Sequence, residues 1–342
     1  MYRDGQRQRR DPRQGHHRPR RRNSGVQRRG VAHLRRSAQA RLELPPAPER
    51  GSVDQRWDDP DAPWWVKLRR AQAHISEVRQ RVSALEGVRP WSIHREPTGK
   101  DGWAYRFRIH RPTPADLSAA VGDAVANMRA ALDYIAFELA RRHVGTMTDA
   151  EEAATAFPIC RDKAAFDQFF AGRRRAKLYG DAERRALQCV QPFALTDEMR
   201  SVGVEPATDP ETDLLTDHAY GLNTLWNIDK HRRLPGLAWA IEGPVWFSGD
   251  DTTGWRWIPR ANELAPLHNG TVLSELHGPP SSGRPLLEPR FTIDLVLTDD
   301  PSPYRSPLGE RLERLHQSLT GWVVPRIFIV ADGNPPPIAI GF

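Results

Sequence analysis

The chain has 342 residues, long enough for one large domain or two ordinary ones, with 50 Lys plus Arg, 43 Asp plus Glu and two Cys. Residues 1–50 hold 15 Arg, no Lys and 4 acids, a surplus of eleven positive charges, so the 35 basic and 39 acidic groups that follow leave a body of charge −4. The overall surplus of +7 is therefore a property of the tail, which excludes a broadly cationic nucleic-acid-binding body and confines any anion recognition to a local site.

No run approaches the ~18 uncharged apolar residues of a membrane span. The best, Leu234 to Phe247, is broken by Pro235, Glu242 and Pro244. The basic N-terminus lacks the apolar segment and cleavage pattern of a secretory signal. Cys160 and Cys189 lack CxxC spacing, which suits a reducing cytoplasm. The expectation is a cytoplasmic protein with no membrane partner.

Residues 1–61 are dense in Arg, Gln, Gly and Pro and too poor in apolar side chains to offset backbone entropy, which predicts disorder. Three readings of this tail stand open: an arm that binds nucleic acid without sequence preference, an Arg-rich interaction tail, or an extension upstream of a natural start near Val53, since Arg outnumbers Lys 45 to 5 as GC-rich coding favours. Folding is expected from Pro63-Trp64-Trp65, with Asp58, Asp59 and Asp61 complementing a helix N-terminus. Trp65, Leu68, Ile75, Val78, Val82 and Leu85 recur at helical spacing up to Gly87. Trp91–His94 and the alternating Trp103, Tyr105, Phe107, Ile109 flank Pro97, Gly99 and Gly102, the pattern of a hairpin within residues 91–111. Its other face carries Arg106, Arg108 and His110, either an anion grip or a solvated face.

The strongest helical signal runs from Ala115 to His143, with Leu117, Val121, Val125, Met128, Leu132, Ile135 and Leu139 on one stripe, Pro114 and Asp116 at its start and Gly145 after it. Shorter helices are expected at about 162–171 and 181–190, separated by the basic run Arg173, Arg174, Arg175 and Lys177. An acidic loop at 205–213 leads to a helix over about 211–233. From Leu237 the pattern changes to short β-branched and aromatic runs, 237–241, 245–247, 255–258, 271–276 and 291–297, read as an antiparallel sheet. An amphipathic helix at 307–323 and a strand at Ile327–Val330 complete the chain. Helices followed by strands argue for an α+β fold: an N-terminal helical bundle with a hairpin over 62–235, then a mainly antiparallel sheet with a C-terminal amphipathic helix over 236–342, packed as one unit.

Phosphate-loop, GxSxG, GxGxxG and HExxH motifs are absent, so the sequence calls for no cofactor and no metal. What stands out is the polar content of two helices expected to pack together. Asn127, Arg129 and Asp133 lie among apolar neighbours on the central helix, and Asn227, Asp229, Lys230, His231 and Arg232 cluster on the later one. Asn227 and His231 are four apart, hence on one helix face, where an amide can orient an imidazole for proton exchange near pH 7. A nearby Arg can hold phosphate through its planar fork. RNA supplies its own 2′-hydroxyl nucleophile, so a general base, a general acid and a charge stabiliser suffice for cleavage without metal. His231, Asn227 and Arg129 are the candidate catalytic groups; Asp133, Asn127, Asp229, Lys230 and Arg232 are the candidate ligand-binding groups. The bland account is that Lys230, His231, Arg232 and Arg233 cap a helix ended by Pro235 and Gly236, while the other side chains form an interhelical network.

Asn127, Arg129, Leu132 and Asp133, then Phe157-Pro158-Ile159, then Asn223 and the stretch Asn227-Ile228-Asp229-Lys230-His231-Arg232, resemble an uncharacterised bacterial protein family over residues 63–235. That resemblance implies no established activity. Asn227 and His231 also resemble two positions of the Arg-Asn-x3-His motif of HEPN-type ribonucleases, which implies metal-independent RNA cleavage; Trp226 stands where that motif has its Arg. The sequence thus carries two functional expectations: an interhelical site for an anionic ligand or RNA phosphate, with cleavage as its extension, or a noncatalytic interaction or scaffold protein whose polar cluster is structural.

Overall fold

The computed structural model describes residues 59–99, 101–160, 162–201, 221–230, 234–248, 254–278, 288–300 and 306–335. Residues 1–58 of the Arg-rich tail and the acidic loop at 205–213 lie outside them. Helix α1 (Pro63–Val88) begins on Pro63, whose missing N–H costs nothing in a first turn. Asp59 does not cap this helix: its carboxylate accepts from Asp61 N–H and its carbonyl from Ala62 N–H, building the turn that precedes it. The buried member of the Trp pair is Trp64 rather than Trp65, and its ring packs 5.2 Å from Phe328. The helix runs one residue beyond Gly87 and closes on Arg89, which is left-handed at φ 45° and precedes Pro90.

Strands β1 (Trp91–Pro97) and β2 (Gly102–Ile109) form the expected antiparallel hairpin, with Trp91 opposite Ile109 and Pro97 opposite Trp103. Gly102 is obligatory at its turn, because a Cβ there would lie 2.9 Å from the Thr98 carbonyl oxygen. Helix α2 (Ala115–Val144) has 30 residues and carries the seven apolar residues of its stripe at 0–1% exposure. Each such burial contributes about 1.5–3 kcal/mol, which makes this helix the axis of the core. Helix α1 packs along it, and Arg81 of α1 reaches Asp116 in its first turn at 2.5 Å.

Five short helices follow: α3 (Asp149–Glu152), α4 (Lys163–Ala171), α5 (Arg173–Leu178), α6 (Asp181–Gln188) and α7 (Pro192–Ser201). The basic run is thus itself helical, not a spacer; Leu178 anchors it in the core, and Arg175 lies over the Phe169 ring at 4.1 Å. Residues 221–230 are helical and are called α8 below; Leu222 and Leu225 are its buried apolar contacts.

The apolar runs after residue 236 form antiparallel strands β3 (Leu237–Ser248), β4 (Arg256–Pro259), β5 (Val272–His277) and β6 (Glu288–Leu297). Two runs, 237–241 and 245–247, merge into β3 through a bulge between Glu242 and Trp246, where Gly243 adopts φ 69° and Pro244 offers no N–H. The strands divide into two sheets, a four-stranded one ordered β1-β2-β5-β4 and a two-stranded β3-β6 ribbon. The hairpin therefore belongs to the same sheet as β4 and β5. Phe107, Trp239, Leu273 and Ile293 join the strands to the core built by α1 and α2. On the hairpin's other face, Glu96 accepts from Arg106 at 2.6 Å and from Arg108 at 3.4 Å, so these arginines are already neutralised in part.

Helix α9 (Leu308–Ser318) buries Leu308, Leu312 and Leu315. It is followed by a π-helical turn (Leu319–Val323) and α10 (Val324–Ala331), so the predicted strand at Ile327–Val330 is helix. A short apolar run does not by itself distinguish strand from buried helix, and here the preceding turn decides. In that turn Val324 N–H bonds Leu319 carbonyl, one residue further back than in an α-helix, which lets Pro325 enter without an i−4 clash. Arg311 forms a buried two-pronged pair with Asp300, at 2.7 and 3.0 Å. Arg326 bonds the Cys189 carbonyl at 3.0 Å and pairs with Glu198.

Candidate functional site

Arg129 and Asp133 sit one turn apart on α2, next to the segment that carries Phe157. The Arg129 side chain is only 7% exposed, and that of Asp133 is 39% exposed. Arg129 Nη2 donates to Asp133 Oδ1 at 3.0 Å and to the Phe157 carbonyl at 2.7 Å. Phe157 N–H donates to the same Asp133 oxygen at 2.9 Å, closing a ring that pins residue 157 to α2. The rest of the guanidinium is not satisfied among the described residues: Nε and Nη1 are buried with no hydrogen-bond partner there. Burial lowers the Arg129 pKa against the opposing pull of Asp133, but a guanidinium stays protonated near neutrality.

The second helix supplies an aromatic face. Arg129 lies 5.1 Å from the Trp226 ring centroid, and the Lys230 ammonium lies 4.6 Å from the same centroid, so one indole collects two cations. Asp229 packs on Gly122, where a Cβ would come within 2.6 Å of its Oδ1. The bare Gly122 backbone is what lets the carboxylate approach α2. Burial, and secondarily repulsion from Asp123, raise the Asp229 pKa above its ordinary 3.8. Since Asp229 meets an earlier residue of α2 than Trp226 does, the two helices run in opposite directions.

Of the expected site residues, Arg129 and Asp133 are joined directly, and Lys230 is joined to Arg129 through Trp226. Asp229 contacts α2 at Gly122. Asn127 turns back on its own helix, its Nδ2 donating to the Asp123 carbonyl at 2.8 Å, and Asn227 is half-buried on α8. His231 and Arg232 lie outside the described residues. Two contributors were not foreseen as such: the Phe157 backbone, which has no side-chain signal, and Trp226, whose aromatic face receives both cations. Chemically, the arrangement presents a desolvated cation with unpartnered donors among the described residues and a second cation beside it. Among the described residues, no three His, Cys, Asp or Glu side chains gather to hold a metal, and no helix is long and apolar enough to cross a membrane. Compared with known proteins, the chain matches no family model, no curated protein and no solved structure.

Proposed function

We propose that the face between α2 and α8 binds a compact anion, with an RNA phosphate as the group it suits best. The observation that carries this reading is the half-satisfied guanidinium of Arg129, whose Nε and Nη1 are buried without partners among the described residues. Buried donors are ordinarily paired, and a phosphate oxygen accepts from such a fork with charge assistance. Lys230 adds a second, exposed charge beside the same indole. The enzymatic extension is metal-independent RNA cleavage, with the substrate's 2′-hydroxyl as nucleophile and His231 exchanging the proton, oriented by Asn227. Asn127 and Arg232 belong to the same proposal as outer contacts. We place this activity in the cytoplasm, where the unpaired thiols of Cys160 and Cys189 are stable.

The test is thermal unfolding of the full chain with inorganic phosphate and with a short single-stranded RNA, alongside an RNA-integrity gel with and without EDTA. A ligand at a hundred times its Kd stabilises by about 2.7 kcal/mol, enough for a clear upward shift. That shift is expected to shrink in Lys230→Ala, an exposed position, and to vanish in Arg129→Met. His231→Ala should abolish EDTA-insensitive cleavage while leaving the shift intact. No shift with either ligand refutes the binding reading.

A second reading has its own observation. The ring of Arg129, Asp133 and Phe157 is a closed structural tie, as a noncatalytic scaffold or interaction protein requires. Under it, the same variants change stability and no ligand moves the melting temperature.

A further inference from the structure

A cavity of about 670 Å3 lies between the end of β2, the first residues of β3 and the turn before β5, away from the residues of the α2–α8 face. Its volume is in the range of small-molecule sites, ~300–1,000 Å3. The wall is mostly apolar: Leu237, Ala238 and Pro266 contribute, while Trp239 lies behind them, buried and edge-on against Trp91 at 6.4 Å between centroids. The Trp239 indole N–H is buried and has no acceptor among the described residues.

The rim is of the opposite character. His110, Arg111, His268 and Asn269 line the cavity, and no carboxylate does among the described residues. The Asn269 side chain is held in place, because its Oδ1 accepts from Ile109 N–H at 3.0 Å, which leaves its amide hydrogens unengaged among the described residues. His110 is likewise positioned, with Nε2 2.7 Å from Ser92 Oγ. The exposed Arg111 guanidinium makes no ion pair or hydrogen bond among the described residues, in contrast to Arg106 and Arg108 on the same hairpin, which share Glu96. Asp299, the acid next in sequence to the lining residue Thr298, is turned to the Gly236 N–H at 3.0 Å. A pocket with an apolar wall, fixed polar donors and an uncompensated cation at its mouth matches a ligand with an apolar body and one anionic end.

We propose that this cavity binds an organic carboxylate with an apolar body, that body against Leu237 and Pro266 and its carboxylate on Arg111 and the Asn269 amide. Unlike the α2–α8 face, which suits a compact anion alone, this site needs the apolar body as well as the charge. The two proposals therefore fail separately.

The experiment is calorimetric titration of the full chain with 2-naphthoate and with its neutral isostere naphthalene-2-carboxamide. The acid is expected to bind at least about tenfold more tightly than the amide, as a charge-assisted fork outweighs neutral hydrogen bonding. Arg111→Ala, at an exposed position that the fold does not use, should erase that preference and leave amide binding unchanged. Ala238→Phe, which fills the apolar end, should weaken both ligands. Inorganic sulfate should not displace 2-naphthoate. Equal affinity for acid and amide, an unaltered preference in Arg111→Ala, or no binding of either compound at millimolar concentration overturns the proposal. If Ala238→Phe fails to fold, the Arg111→Ala comparison decides alone.

Discussion

Arg129 is far more buried than Asp133, at 7% against 39% exposure, which suggests that it is the more costly residue to replace. The hydrogen bonds point the other way. In Asp133→Ala the guanidinium is left without its carboxylate, and breaking one side of a buried pair costs about 3–5 kcal/mol. Phe157 N–H also loses its acceptor, at about 1–3 kcal/mol if water cannot replace it. In Arg129→Met the deserted partner, Asp133, is exposed enough to turn to water and still accepts from Phe157 N–H. The Phe157 carbonyl loses its donor, but two unpartnered buried donors vanish with the guanidinium, and Met keeps much of the packing volume. We therefore expect Arg129→Met to cost about 1 kcal/mol and Asp133→Ala about 3 kcal/mol or more, with the double variant closer to Arg129→Met alone. Urea unfolding followed by circular dichroism measures this as midpoint shifts at unchanged slope. A variant order with Arg129→Met as the more destabilised protein would refute the reasoning, because it would mean that the guanidinium is fully satisfied in solution.

Other expectations follow from single features. Arg89 holds a left-handed conformation that L-residues disfavour by about 1–2 kcal/mol, so Arg89→Gly should raise the melting temperature despite Gly's greater freedom when unfolded. Asp294 on β6 has its pKa raised, first by burial and then by Glu310, against the opposing effect of Leu295 N–H. The native state thus holds this proton more tightly than the unfolded chain; the contribution is fully present below the ordinary value of 3.8 and is lost as pH rises through the raised native value. Asp294→Asn should melt above the parent at pH 7, with the gap closing in acid, and a lower melting temperature at pH 7 would contradict this. Burial pushes the Cys189 thiol up to about 11, so iodoacetamide at pH 8 should label it far more slowly than a free thiol, as mass spectrometry of the native chain can show. Gly122→Ala should displace Asp229 and loosen α8, detectable as faster amide exchange over 221–230.

Elements whose apolar residues repeat over many turns were legible from the chain alone. The Ala115–His143 stripe is buried over its whole length, and the hairpin register follows its alternating aromatics. Reading failed where a segment's state depends on distant partners. Val324–Ala331 has the β-branched composition of a strand, yet it continues a helix because a π turn admits Pro325. The run Arg173–Leu178 looks like a polar connection, yet Leu178 and the Phe169 face hold it as helix. Nothing local announced that β2 would pair with β5 across more than 160 residues, since strand partners are selected by the assembled core. At the candidate site, the spacing of Arg129 and Asp133 disclosed their pairing, whereas the Phe157 main chain and the doubly stacked Trp226 depend on how α2, α8 and the intervening segment come together.

The π turn has a consequence for how one helical rod serves two neighbours. An extra residue in a helix rotates everything after it by about 100° relative to what precedes it. Helix α9 packs on α1 and β6, while α10 packs on α6 and keeps Phe328 against Trp64 of α1, so the surplus residue at Leu319–Val323 acts as a rotary joint that re-aims the second half of the rod without breaking it. Deleting Gly321, an exposed residue of that joint, would make the rod regular and swing Ile327, Phe328 and Val330 out of the positions where they are buried. A single-residue deletion on the surface would then be felt in the core, and the length of this segment is under stricter constraint than its composition.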